Sequence, residues 1–437
     1  MNRLNVFLII ILLLIVLFTV FNYWNVYVTD NTSVELEGYE NMEKVDGAQK
    51  KWARSSSCAA YMNSTTYDCL KDNLIEQTDK PEEADIIFPC GYNNIENEIQ
   101  TLPHLDKNDK NKYANKKPQI TFIMEGVDEF TAKDRMWKHL LKYHGREKAI
   151  TICPKTYILV GSDRAEDIER LRADHVDGRL YIMKKNIQRQ EGLHITSSID
   201  EIIENKGVYN LAQELLTDSY LINGRKINLR VYVVMVCNRN HRQVLVFDDG
   251  FMYYTKNLFN PNDGAGDSHI TTGYIDREVY VRSPLTLKEF QRYLDLPVNL
   301  KYHAKSEPRK LNIVEQKIRK SGQKISTVVF DRIDTLIRET FEAFTDCTCR
   351  PILKKDINNP IYTDYNVEIF GADIAIDQDL RPKLMEINKG PDLNPKDERD
   401  SKVKKALVNT VFKLVGLTDE NVSKTDNYGD LRLVLKN

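Results

Sequence analysis

Two runs near the C-terminal end of the chain, VEIFGADIAID (367–377) and RPKLMEIN (381–388), carry polar groups inside strands that otherwise look built for burial. The turn-like QDL between them, with Pro382 behind it, makes the pair an antiparallel hairpin. If Asp377 faces Pro382 across the turn, Asp373 falls opposite Glu386, and alternation puts Asn388 and Leu384 on the face of Glu386. Two carboxylates side by side in a partly buried sheet repel each other, so they take up a proton or gather a cation. Asp373, Glu386 and Asn388, with no His or Cys nearby, form an all-oxygen donor set that favours Mg²⁺ over zinc. The competing reading is a surface hairpin with ordinary polar residues.

A second run, GRKINLRVYVVMV, places Lys226, Asn228, Arg230 and Tyr232 on one face of a strand and Ile227, Leu229, Val231 and Val233 on the other. Such a charged face suits phosphate or carboxylate groups, although a solvated edge strand would also carry it. A third, YIMKKNIQRQEGLHI, has a strand ending in Lys184 followed by a polar loop with Gly192, whose backbone N–H groups can cover phosphates.

These residues need strands to hold them, and the order of periodic segments predicts an α/β chain of several lobes. Short apolar runs (ADIIFPC, ITFIMEG) and the helical AKDRMWKHLLKYHG suggest an N-terminal α/β lobe over 58–150. TYILV, DRAEDIERLRADH, RLYIMKK and SSIDEIIENK alternate as strand and helix over 151–225, and a third lobe with the hairpin spans 226–417. Within it, residues 301–324 are rich in Lys and Arg, and read either as a solvated insertion or as a docking patch for an acidic partner. The tail 418–437 is polar and expected to be peripheral.

The chain has 437 residues and a net charge of −2, so its overall charge argues for neither nucleic acid nor a strongly anionic partner. The seven cysteines form no small-protein disulfide framework, and the close pair Cys347 and Cys349 is expected to be free thiols. Leu4–Trp24 carries no charge and ends in aromatics, which predicts an uncleaved transmembrane anchor (1–24), with a polar tether over 25–57.

The order of these features resembles the ATP-grasp domain of the tubulin–tyrosine ligase-like family, over roughly residues 115–417. The resemblance rests on the strand lysine with its covering loop, AQELL, GRKINLR, HITT, and the Gly-x-Asp and Glu-x-Asn pair. It implies that Lys184 and Gly192 hold ATP phosphates and that Gln213, Glu214, Leu215 and Leu216 form the hinge against adenine. Lys226 and Arg230 would reach the phosphates and the reacting carboxyl groups, His269 and Thr271 the amino-acid site, and Asp373, Glu386 and Asn388 would bind Mg²⁺. Four positions depart from the family pattern: Asn228 for an aspartate, Glu191 beside Gly192 in the loop, Tyr253 for an arginine, and Thr272 for an asparagine.

Taken as activity, the resemblance implies an ATP-dependent carboxylate–amine ligase that adds an amino acid of the glutamate, glycine or tyrosine class to a protein acceptor, possibly a tubulin tail. The alternatives are a non-catalytic, membrane-anchored nucleotide-binding scaffold or a ligase for another protein. The need for ATP places the catalytic body in the cytosol, although the sequons at Asn31 and Asn63 permit a lumenal one.

Overall fold

The computed structural model describes residues 49–55, 62–91, 119–122, 124, 126–187, 192–238, 241–262, 264, 266–349, 352–353, 360–361, 365–418 and 428–436. The expected anchor and most of the tether lie outside these residues. Among the described residues, no helix is long and apolar enough to cross a membrane.

In chain order, β1 (Lys51–Arg54), α1 (Ser64–Asp72), β2 (Glu76–Gln77), β3 (Ile86–Phe88) and β4 (Ile120–Thr121) precede α2 (Asp128–Thr131), α3 (Lys133–His144) and α4 (Arg146–Ile152). There follow β5 (Thr156–Ile158), α5 (Arg164–Asp174), β6 (Tyr181–Lys184), β7 (Leu193–Thr196), α6 (Ile199–Glu204) and β8 (Leu211–Glu214). Then come β9 (Leu221–Ile222), β10 (Arg225–Asn238), β11 (His241–Thr255), α7 (Gly266–His269), β12 (Thr271–Thr272), α8 (Val279–Arg282), α9 (Leu287–Asp295), α10 (Ile313–Lys320) and α11 (Ile325–Glu342). The chain closes with β13 (Ile352–Leu353), β14 (Pro360–Ile361), β15 (Tyr365–Ile376), β16 (Pro382–Lys389), α12 (Glu398–Leu414) and β17 (Leu431–Lys436).

The result is a mixed α/β body. Its larger sheet runs β12-β11-β10-β15-β4-β3-β1-β2, with β16 on β15, β17 on β11 and β9 on β10; a second sheet runs β5-β8-β6-β7. β10 is central because it can bury both edges: it pairs with β11 on one side and β15 on the other. Its apolar face, Ile227, Leu229, Val231 and Val233, is buried as the alternation requires.

Three expected boundaries move. The tether ends early, since Lys51–Arg54 already form β1, with Trp52 and Ala53 buried. The N-terminal lobe is not separate, because β4 pairs in parallel with β15 and extends the central sheet. The polar tail also returns: Leu431–Lys436 pair with β11, and Leu431 and Leu435 are buried.

The basic segment 301–324 is folded rather than a solvated loop. Asn312 and Glu315 form a reciprocal capping box that starts α10, and Glu315 pairs in the interior with Arg309. The Tyr220 hydroxyl also donates to Glu315 Oε1 at 2.8 Å, which ties the segment to the strand region that leads into β9.

The hairpin forms with a register that differs from expectation at one end. Ile376, not Asp377, pairs with Pro382, and Ile374 pairs with Leu384, yet Asp373 still pairs with Glu386 and Gly371 with Asn388. A bulge at Met385 absorbs the one-residue shift, so two deviations cancel where the carboxylates meet. Leu384 therefore points to the face away from Glu386, where it is fully buried. Asp377 is used by the turn itself, its Oδ1 accepting from the N–H groups of Asp379 (2.9 Å) and Arg381 (2.8 Å).

Behind β15, Phe130 packs on Phe370 (5.0 Å between ring centres), Phe341 (5.5 Å) and Phe344 (5.1 Å). This cluster fixes the α2–α3 junction and thereby the start of α3.

The free-thiol expectation fails for one member of the close pair. Cys349 forms a disulfide with Cys237, near the end of β10, across a sequence separation of 112, whereas Cys347 keeps its thiol, which donates to Phe344 O at 3.3 Å. Cys90 is also disulfide-bonded. A cross-link that closes so long a loop restricts the unfolded chain and typically adds about 2–4 kcal/mol. Alkylation of the denatured, unreduced protein followed by peptide mapping is expected to label Cys69, Cys153 and Cys347 and to leave Cys237 and Cys349 unlabelled; labelling of all five would contradict the bridge.

Candidate active site

The polar face of β10 and the hairpin meet at one pair of charges. Arg230 Nε donates to Asp373 Oδ1 at 2.6 Å and Nη2 to Oδ2 at 3.0 Å, a bidentate pair between side chains only 13 % and 12 % exposed. The guanidinium lies flat across β15 because Gly371 has no side chain there: a Cβ would sit 2.9 Å from Arg230 Cδ. The glycine of Gly-x-Asp is thus a clearance for the arginine.

Glu386 lies beside Asp373 on the next strand. The Asn388 amide bridges the two, its Nδ2 lying 3.2 Å from Glu386 Oε1 and 3.4 Å from Asp373 Oδ2. Glu386 Oε2 is 3.2 Å from Lys133 Nζ, at the first residue of α3. The Lys133 ammonium also donates to the Ile187 carbonyl at 3.3 Å, where the loop after β6 begins. The spatial order is therefore Arg230⁺, Asp373⁻, Glu386⁻, Lys133⁺.

Burial and the Glu386 charge push the Asp373 carboxyl up to about 6, against the pull of Arg230. Burial also disfavours the Glu386 charge, but Lys133 and Lys184 outweigh it and hold that carboxyl at about 2. The inner carboxylate of the pair is strained by its neighbour and the outer one is stabilised by lysines.

Lys184, at the end of β6, is buried, and its Nζ donates to Gln213 Oε1 at 2.6 Å. Gln213 Nε2 is itself held by Thr156 Oγ1 at 2.9 Å, so this glutamine positions the lysine. Glu214 is turned to Arg179 (2.7 Å) and Lys155 (3.7 Å). The Leu215 N–H donates to Leu180 O at 2.9 Å, and Leu216 O accepts from Lys226 Nζ at 2.8 Å. The segment 213–216 thus touches both Lys184 and Lys226, through Gln213 and Leu216.

Gly192 adopts φ +70°, and a Cβ there would lie 2.9 Å from Lys185 Cβ and Ile187 Cδ1. Residues 188–191, Glu191 among them, lie outside the described residues.

His269 and Thr271 stand at the Lys226 end. The His269 ring packs edge-on against Phe259 (5.3 Å), whose ring also carries the Lys226 ammonium (5.8 Å). Thr271 pairs with Thr255, while Thr272 pairs with Tyr254 and its Oγ1 accepts from the Tyr274 N–H at 3.0 Å.

Three of the departing positions have definite surroundings. Asn228 Oδ1 is buried and finds no hydrogen-bond partner among the described residues, between Lys226 and Arg230 on the charged face of β10. Tyr253, opposite Asn228 on β11, lies under the Arg230 guanidinium at 5.1 Å from its ring centre. Thr272 is spent on its own turn.

Asp373, Glu386 and Asn388 converge as the spacing predicts, and their chemistry fits a hard divalent cation. The carboxylates supply oxygens, the Asn388 amide presents oxygen after a half-turn about its last torsion, and the orphaned Asn228 Oδ1 faces the same side. Lys133 and Arg230 already balance the two negative charges. A divalent ion therefore fits best together with an anionic ligand such as a polyphosphate, which brings its own negative charge.

Sequence reasoning missed Lys133. Its signal was only the Lys-Asp at the start of a helix, and nothing local says that this lysine reaches β16. The backbone clearance at Gly371 was legible in principle, as a glycine inside a strand.

Burial pushes the Lys226 ammonium down to about 8, against the opposing charge of Asp218. The folded value lies below the unfolded one, so the unfolded chain binds more protons between these values and this group's stability contribution rises with pH there. Binding runs the other way, because the ammonium is lost above about pH 8. Affinity for a non-hydrolysable ATP analogue is expected to fall as pH rises through 8, and Lys226→Arg to flatten that profile; an unchanged profile in the variant would assign the dependence elsewhere.

Residues 116–424 match the model of the tubulin-tyrosine ligase family. A tubulin polyglutamylase of Caenorhabditis briggsae is 26% identical over 67% of this chain and 45% of its own length. A probable tubulin polyglutamylase of Rattus norvegicus is 26% identical over 56% of this chain and 46% of its own. A tubulin monoglutamylase of Homo sapiens is 23% identical over 68% of this chain and 23% of its own. The chain spans less than half the length of these curated relatives.

Proposed function

The chain belongs to the tubulin-tyrosine ligase family, and we propose that it is an ATP-dependent carboxylate–amine ligase of the ATP-grasp fold that adds an amino acid, glutamate in the first instance, to a protein acceptor, with tubulin the first acceptor to test. The observation that carries the reading is the Asp373–Glu386 pair, Asp373 buried and Glu386 partly so, with Arg230 bonded to the first, Lys133 to the second, and Lys184 close enough to act on Glu386. A constellation of that charge order suits a substrate that brings a polyphosphate and a divalent ion together.

A carboxylate resists attack by an amine, so it must first be activated. In the proposed reaction the acceptor carboxylate takes the γ-phosphoryl group of ATP and ADP leaves. The amine of the incoming amino acid then forms the C–N bond, loses its proton to solvent or a base, and expels inorganic phosphate. Lys184, positioned by Gln213, and Lys226, anchored on Leu216 O, hold the phosphates. Gly192, at φ +70°, accepts from the Lys185 N–H at 3.1 Å, next to Lys184. Arg230, kept flat by Gly371, faces the reacting carboxyl, and Lys133 is free to move from Glu386 to a phosphate oxygen once the charge of the ligand arrives. Asp373, Glu386 and Asn388 would hold Mg²⁺, which supplies neutralisation of charge on the transferring phosphoryl group.

The uncharged run Leu4–Trp24 would anchor this body to a membrane, with ATP and tubulin placing it on the cytosolic side. One observation favours a second reading. The Cys237–Cys349 bridge, with the further disulfide at Cys90, fits an oxidising compartment, where the same ligase chemistry would act on a secreted or lumenal protein instead of tubulin.

The test is incubation of the purified full-length protein with Mg·ATP, glutamate, glycine or tyrosine, and a panel of tubulin and secreted acceptors, with ADP and acceptor mass as readouts. The expected result is acceptor-dependent ADP with one amino-acid mass added, lowered roughly 10²–10³-fold by Glu386→Gln with the fold intact. ATP binding without turnover on any acceptor would replace the ligase with a nucleotide-binding scaffold, and full activity in Glu386→Gln would remove the metal assignment.

A further inference from the structure

The wall of the site beyond Tyr253 holds a cation that the reaction above does not use. Lys396, just before α12, extends its ammonium over the Tyr274 ring at 4.0 Å and donates to the Gly273 carbonyl at 3.1 Å. A Cβ placed on Gly273 would lie 2.9 Å from Lys396 Nζ and 2.9 Å from Tyr253 Cε1. The ammonium and the edge of the Tyr253 ring therefore flank the same bare glycine. Arg230 lies over the face of that ring, 5.1 Å from its centre.

The other cations on this side are neutralised. Arg230 is held by both oxygens of Asp373. Lys404 pairs with Asp400 at 2.9 Å, and Arg277 pairs with Asp397. Asp400 also accepts from the backbone N–H of Lys396 at 3.2 Å, not from its ammonium. Lys396 is solvent-accessible, and among the described residues its Nζ is offered only a carbonyl and a ring. An accessible ammonium held by a carbonyl and a ring rather than by a carboxylate, beside a reaction site, is matched by an anionic group on a ligand.

We propose that Lys396 binds the side-chain carboxylate of the incoming amino acid, and so selects a dicarboxylic amino acid. The inference rests on the ligase reading. The amine must reach the acceptor carboxyl at the Arg230 and Asp373 end, and the α-carboxylate stays with it on the same carbon. A carboxylate that spans the Tyr253 ring to Lys396 must sit at the end of a side chain. Glycine has none, and the tyrosine side chain ends in a neutral phenol. The missing side chain of Gly273 is what lets the ammonium and the ring edge come this close to the same backbone carbon, and so to each other.

Lys396→Met and Lys396→Arg in the full-length protein test this by two routes. In turnover, Lys396→Met is expected to raise KM for glutamate at least tenfold with KM for ATP and kcat within about twofold, and Lys396→Arg to restore most of the loss. By calorimetry, L-glutamate added to protein loaded with Mg²⁺ and a non-hydrolysable ATP analogue is expected to bind at least tenfold more weakly to Lys396→Met, with glycine binding unchanged. The calorimetric arm needs no turnover, so absence of ADP alongside this glutamate result counts against the ligase reading and not against Lys396. Equal glutamate affinity in wild type and Lys396→Met, or parallel loss of ATP affinity, overturns the proposal.

Discussion

Two carboxylates on adjacent strands of a buried sheet cannot both be ionised without compensation, and the rest of the site follows from that constraint. The protein meets it with four side chains drawn from distant parts of the chain. Arg230 reaches across β15 to Asp373, Lys133 comes from the start of α3 to Glu386, and Asn388 spans the pair. Lys184 adds its field from the smaller sheet. Replacing either acid by an apolar group would leave a buried cation unpaired, so the constellation is costly to dismantle piecemeal.

Several structural choices make sense as conditions for this arrangement. Gly371 removes the side chain that would block Arg230. The bulge at Met385 turns Glu386 towards Asp373 while leaving Leu384 and Ile387 buried on the other face. The phenylalanine cluster under β15 fixes the helix that carries Lys133. At the opposite end of the site, Tyr253 gives Arg230 a flat neutral surface, which keeps its charge directed at Asp373, while Lys396 nearby bonds no carboxylate among the described residues.

Much of this was legible in the sequence, and the remainder was hidden for physical reasons. Alternation along GRKINLR identified the charged face of β10 because a strand of period two leaves little freedom. The pairing of Asp373 with Glu386 was read correctly through an incorrect turn, since a bulge offset a one-residue error that no local signal reveals. Lys133 and the Cys237–Cys349 bridge depend on contacts between remote segments, and a helix-start lysine or a Cys-Thr-Cys pair says nothing about its partner. The basic run 301–324 looked solvated because the buried Arg309–Glu315 pair within it is indistinguishable by composition from its exposed neighbours.

The central claim is that the Asp373–Glu386 pair is a seat for a divalent ion that arrives with a polyphosphate. Its most direct test is the affinity of the wild-type protein for a non-hydrolysable ATP analogue, measured by calorimetry with Mg²⁺ and again in excess chelator. Binding is expected to weaken by at least tenfold, about 1.4 kcal/mol, when the ion is removed. Equal affinity in the two conditions would contradict it and leave the carboxylates as a purely structural pair.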